Sequence, residues 1–240
     1  MAVKATTTSL IVPDLRIREM VVPVIGTSPL IVHAWSQKAK LEMLGKQMKV
    51  AKGAKEAKDP WQDFQDSLYR LPGGGYGFPS VAFKAAAVTA CTSVADMTKV
   101  AARQAFHIVG EQILIPSAYE HNGRRMEARY DLVRIIAGDP EMREDMVRVG
   151  MGTADIRYRG QFWPWAVRLK VAYNEGVLSE GQIMNLLNTA GFGVGVGEWR
   201  AEKDGTYGRF RAAREGDEGI LADLDALLSE QVEAPHAHAA

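Results

Sequence analysis

Between Ala190 and Phe210 the chain reads AGFGVGVGEWRAEKDGTYGRF, with glycine at 191, 193, 195 and 197. The order of signals around these glycines constrains the fold most. Upstream, Ser179 and Gln182 have capping-box spacing. Ile183, Leu186, Leu187 and Ala190 then fall at i, i+3, i+4 and i+7, predicting a helix with one buried face and Gly191 as its C-terminal stop. Downstream, Lys203-Asp204-Gly205 predicts a turn and TYGRFRAAR a last strand. A dinucleotide fingerprint needs strand, glycines, then helix, so that a helix N-terminus meets the pyrophosphate. Here the helix comes first, and its dipole points the wrong way. The Gly-Lys-Ser/Thr of a P-loop is missing. Two uses remain: a glycine hairpin with structural duties, or a loop whose backbone passes close to a nucleic-acid backbone.

The other elements follow from periodicity. In PWAVRLKVAY, Val167, Leu169 and Val171 alternate with Arg168 and Lys170, which predicts a strand with apolar side chains inward and basic ones outward. ADIRYRGQFW before it reads as another strand, carrying Arg157 and Arg159. Residues 16–25 form a strand candidate whose Pro23 suits an edge or a bulge. Residues 1–15 read as an arm or an edge strand. Residues 61–78 read as a loop or short strands, and Ser80 is an N-cap candidate for an Ala/Val-rich helix over 80–92. Val100–Gly110 reads as a further helix. Residues 112–119 and 126–136 are strands joined by an Asn122-Gly123 turn, and the following GDPEMREDMVRVGMG reads as a polar connection.

Lys+Arg and Asp+Glu both number 29, so the chain lacks the overall basic charge of a polybasic nucleic-acid binder, yet the charge is unevenly placed. Residues 36–60 are expected to be a basic mobile insertion, a helix fraying into a loop that carries Lys46, Lys49, Lys52 and Lys55. Either it is a solvated face or it neutralises phosphates. From 215 to 240 the sign reverses, predicting an acidic C-terminal helix and a disordered tail. That helix either packs on the domain or covers a basic groove of the same chain. The remaining residues, 1–214, are expected to form a single domain. One cysteine, Cys91, suits a reducing compartment, as a small buried hydrophobe or a reactive thiol. With no long apolar run and no signal-peptide pattern, the expected location is cytoplasmic. No Cys/His cluster predicts a metal, and no cofactor is expected.

The helix, then AGFGVGVGEWR, then GTYGRF is similar to the C-terminal glycine-rich loop of the RAMP superfamily, the ferredoxin-like RNA-binding proteins of CRISPR effector complexes. GFPSVAFKAAAV (77–88), with Lys84, resembles the segment opening that family's first helix, and TSPLIVH (27–33) is a third match. The resemblance implies an α+β, ferredoxin-like (RRM-like) antiparallel sheet with helices on one face. Its β–α–β–β–α–β order falls on 16–25, 80–92, 126–136, 165–173, 179–190 and 206–212, with 112–119 and 153–162 unplaced. The basic insertion and the acidic tail are not family constants. The absence of obvious catalytic motifs looks more like a stand-alone phage protein.

The function implied is non-catalytic binding of single-stranded DNA or RNA, with homo-oligomers assembling along the strand. The residues expected to carry it are Lys46, Lys49, Lys52, Lys55, Lys84, Arg157, Arg159, Arg168, Lys170, Gly193, Gly195, Gly197, Trp199, Arg200 and Arg209, because phosphates call for cations and bases for flat side chains. The arginine-bearing strands equally suit the solvated face of a half-buried sheet. Two other readings stay open. One is a metal-independent RNA-processing endonuclease, for which the resemblance offers His33 as general base. The other is a phage-encoded protein-interaction factor that inhibits a host complex.

Overall fold

The computed structural model describes residues 14–50, 57–94, 97–149 and 152–233. Along the chain come β1 (Ile17–Gly26), β2 (Leu30–Val32), α1 (Gln37–Gln47), α2 (Pro60–Asp66), β3 (Gly77–Pro79), α3 (Ser80–Ala90), α4 (Lys99–Ala105) and β4 (Phe106–Val109). They are followed by β5 (Glu111–His121), β6 (Arg124–Ile136), β7 (Glu141–Val149), β8 (Thr153–Phe162), β9 (Ala166–Asn174), α5 (Glu180–Gly193), β10 (Phe210–Ala212) and α6 (Glu218–Glu233). The architecture is mixed α+β, built on a large antiparallel sheet.

At the centre of that sheet β1 pairs with β10 on one side and β9 on the other, and β9 pairs with β4 beyond it. All three pairings are antiparallel, in the order β10-β1-β9-β4. Helix α3 lies in the connection from β1 to β4, and α5 in that from β9 to β10. The β5–β6 hairpin extends the sheet. β6 reaches the edge of β9 through Ile135 and Ile136 and also carries β3. A separate three-stranded sheet has the order β2-β8-β7.

Period-two alternation decides what each face of the large sheet meets. Val22 and Val24 of β1, with Val167, Leu169 and Val171 of β9, enter the main core with Phe83 of α3 and Ile183, Leu186 and Leu187 of α5. Their neighbours of opposite parity, Ile25, Ile136 and Ala166, form a second cluster with Leu224 of α6. Helix α6 therefore covers the face opposite to α3 and α5, so the acidic C-terminal helix packs on the domain. Two ion pairs fix it. Arg168 Nη1 and Nη2 donate to Asp225 at 2.9 and 2.5 Å. Arg211 Nη1 and Nη2 donate to Asp217 at 2.5 and 2.9 Å, and the Arg214 N–H donates to the same carboxylate at 2.7 Å.

The expected capping box on α5 is present: Ser179 Oγ accepts from Gln182 N, and Gln182 Oε1 accepts from Ser179 N. A cap of this kind is worth about 1 kcal/mol. Gly191 does not stop the helix, which runs on to Gly193. Its role is close approach, since a Cβ there would overlap the Phe210 carbonyl of β10. Trp165 is fully buried and donates Nε1 to Ser28 O at 2.8 Å, tying β9 to the turn after β1.

Other elements differ from expectation for physical reasons. Residues 60–66 are helical because Asp59 caps Gln62 N at 3.1 Å and Pro60 suits the first turn. Ser80 is already inside α3, whose N-cap position is Pro79, with no side-chain cap. The helix expected over 100–110 ends at Ala105. Phe106 to Val109 alternate buried and exposed and pair with β9, next to the short pairing of β6 with the same strand. The polar connection after 137 is strand β7. Cys91 is buried. No helix among the described residues is long and apolar enough to cross a membrane.

Candidate nucleic-acid interface

After α5 the chain doubles back against β2 and β10. Gly197, at φ +80°, lies so close to β2 that a Cβ would overlap the Ile31 carbonyl, and the Glu198 N–H donates to that carbonyl at 3.0 Å. Only glycine meets both conditions without strain. Gly195 lines up against the carbonyls of Tyr207 and Gly208, whereas Gly193 ends α5 in open space. The glycine run is thus shaped first by backbone packing within the chain.

A cleft of about 410 Å³ opens between this segment and α3. The small side chains Ala82, Ala85, Ala86 and Thr89 form the α3 wall, and Val194 to Glu198, Arg200 and Glu202 form the other. His33 and Tyr69 also line it. His33 Nδ1 lies 3.3 Å from Glu198 Oε1. The hydrogen bond with His33, reinforced by the nearby Arg159 guanidinium, holds the Glu198 carboxyl below the usual carboxylate range, against the upward push of burial. Burial, with Tyr130 and Glu198 near by, pushes the Tyr69 phenol up to about 12. Arg200 is paired with Glu202 at 2.9 Å and donates to Gly197 O at 3.3 Å.

Behind Glu198 runs a chain of charges. Arg159 is 2% exposed; its Nη2 lies 3.9 Å from Glu198 Oε2 and its Nη1 donates to Asp145 Oδ2 at 3.2 Å. Asp145 also accepts from Arg143 Nε at 2.8 Å. Arg143 in turn lies over the Tyr207 ring, 4.6 Å from its centroid. The three-stranded sheet therefore grips the glycine segment through a polar layer.

A second cleft, of about 300 Å³, adjoins the first: Tyr69 lines both, and Ala34, next to His33, lines the second. Its walls come from the turn before α1, from α1 and α2, and from the β5–β6 hairpin. They include Trp35, Lys40, Gln62, Gln65, Arg70 and Tyr130. Lys40 Nζ lies 5.2 Å from the Tyr130 ring centroid.

The residues expected to form the site do not all converge. His33, Gly195, Gly197 and Arg200 line the first cleft. Trp199 is 40% exposed, and Arg209 donates Nε to Thr206 O at 3.2 Å. Arg157 is half-exposed and 3.5 Å from Asp155. Arg159 points inward, held by Asp145, so it organises the cleft wall instead of meeting solvent. Arg168 and the exposed Lys170 lie on the sheet face away from α3, with Arg168 engaged by Asp225. Lys84 is directed at His107 of β4, with Nζ 2.9 Å from Nδ1, and burial lowers its pKa. Lys46 and Lys49 are exposed in the last turn of α1 and just beyond it; Lys52 and Lys55 lie outside the described residues. Sequence reasoning missed Glu198, although it sits inside the glycine stretch, and missed Trp35, Tyr69, Arg70 and Tyr130. The only available signal was the density of rings near 61–78, which carried no partner information.

No family model matches the sequence, and no curated protein matches it. Among solved structures, the crystal structure of Cmr6 from Pyrococcus furiosus aligns over 82% of this chain and 98% of that chain, at 12% identity and a TM-score of 0.39. Similarity at that level fixes neither fold nor activity.

Proposed function

We propose that this chain binds single-stranded nucleic acid without cleaving it, on a ferredoxin-like, RAMP-type domain. The observation that carries the reading is the pair of adjoining clefts. They bring three aromatic rings (Trp35, Tyr69 and Tyr130) to the same surface as Lys40, Arg70 and Arg200. Single strands are held by cations along the backbone and by rings under the bases. Both carboxylates of the first cleft, Glu198 and Glu202, have cationic or imidazole partners, so that cleft is not a bare acidic pocket. The exposed Lys46 and Lys49 add positive charge beyond the second. The sheet order β10-β1-β9-β4, with α3 and α5 as crossovers, supports the domain assignment.

Filter binding to single-stranded DNA, single-stranded RNA and duplex at two salt concentrations tests this. The expected result is affinity for a single strand that falls steeply with salt. No strand affinity, together with tight capture of a protein partner, would favour the interaction-factor reading. Assembly along the strand belongs to the same proposal, and a monodisperse complex on a long oligonucleotide at saturating protein would remove it.

One observation favours a second reading. His33 and Glu198 pair inside the first cleft, as a general base and its orienting carboxylate would. With Nδ1 facing Glu198, Nε2 is left to take the proton of a 2′-hydroxyl as that oxygen attacks the adjacent phosphorus and the 5′-oxygen leaves. Metal-independent RNA cleavage that is abolished in His33→Ala would establish it.

A further inference from the structure

The second cleft has a lining that backbone binding alone does not require. Phosphates call for cations. Rings and amides in one recess call for a flat ligand with hydrogen-bonding edges. Trp35 stands in the turn between β2 and α1 and is 60% exposed. Tyr69 and Tyr130 meet with centroids 6.3 Å apart and planes at 55°, forming a bent wall. On the rim, Gln62 Nε2 donates to Asp66 Oδ1 at 2.8 Å and Gln65 Oε1 accepts from Arg70. Both amides sit at the cleft and can exchange an internal partner for the edge of a base.

We infer that this cleft is a subsite for one unpaired nucleobase. The base stacks on Trp35 and is bounded by Tyr69 and Tyr130. Lys40 and Arg70 take the flanking phosphates, and Gln62 and Gln65 meet the base edge. This rests on the strand-binding reading and adds to it that one unpaired base is seated in the second cleft, with its edge met by Gln62 and Gln65.

The test compares oligothymidylate and oligouridylate with abasic oligonucleotides of the same length, by fluorescence anisotropy at one salt concentration. The wild type is expected to bind the base-bearing strands more tightly. Trp35→Ala is expected to lose about tenfold to a hundredfold on base-bearing strands and nothing on the abasic ones. Trp35→Phe is expected to recover most of the loss. Because Trp35 is largely exposed, these variants should fold, and an unchanged melting temperature checks it. Equal wild-type affinity for base-bearing and abasic strands, or an unchanged Trp35→Ala, overturns the subsite while leaving backbone binding in place. Equal losses of Trp35→Ala on both kinds of strand would likewise overturn it. Absence of binding to every strand overturns the strand-binding reading itself.

Discussion

Strands β8 and β9 look alike in sequence and are used in opposite ways. Both alternate basic with other residues: Arg157 and Arg159 in one, Arg168 and Lys170 in the other. In β9 the apolar set enters the core and the basic set faces outward. In β8 the polarity is inverted. Arg159 is buried and Ile156 is 43% exposed, while on the paired strand β7 Asp145 is buried and Met146 is 77% exposed. The difference lies in what each sheet packs against. β9 meets two apolar helices, whereas β7 and β8 meet the polar side of the glycine segment, where Glu198 and Tyr207 supply partners for arginine. An ion pair that is two-way exposed in one strand is a structural bolt in the other.

The largest effect should come from breaking the bolt. Asp145→Ala leaves the Arg159 guanidinium buried without its closest carboxylate and is expected to cost about 3–5 kcal/mol in chemical denaturation. Replacing both Asp145 and Arg159 by apolar residues of similar size should recover part of that loss, because no fully buried charge is then left, while Arg143 keeps Gln161 and Tyr207 and Glu198 keeps His33.

The next effect concerns the clamp at the start of α6. The two hydrogen bonds from Arg211, helped by the Arg214 N–H, hold the Asp217 carboxyl well below the usual carboxylate range. A depressed pKa stabilises the fold at pH values above the unfolded pKa of about 3.9, and the contribution disappears as pH falls toward the folded value. Melting temperature measured from neutral pH downward should therefore drop more steeply below about pH 4 in the wild type than in Asp217→Asn. Identical slopes would mean that the clamp does not form.

The smallest effect should come from Arg168→Ala on β9. Arg168 and Asp225 are 44% and 42% exposed, and such pairs are worth about 0–1 kcal/mol. Strand affinity should stay unchanged as well, because Arg168 lines neither cleft and lies on the sheet face covered by α6. A large loss of affinity would move the binding surface to that face and make α6 its cover.

The same inversion explains what could be read in advance. β1, β9 and α5 were legible because their apolar residues recur at the period of their own geometry and face an apolar core. β7 was not, because the one buried position among its described residues is the charged Asp145, so its alternation reads as an unstructured polar run. Of the site, His33, Gly195, Gly197 and Arg200 were legible through one local stretch and one lone histidine. Trp35, Tyr69 and Tyr130 were not, because they come from three separate elements that only the sheet brings together.

By itself the sequence determined that a capped, amphipathic helix precedes the glycines, which removed the nucleotide-cofactor folds. It also determined the face of β9 and the acidic character of the C-terminal helix. Only the tertiary structure decided which glycines serve close packing, which arginines turn inward, and that α6 covers the sheet face opposite α3 and α5. The physical reason is one of range. Caps, helix faces and strand alternation depend on residues a few positions apart, whereas the burial of a charge depends on whether a partner more than ten residues away can reach it.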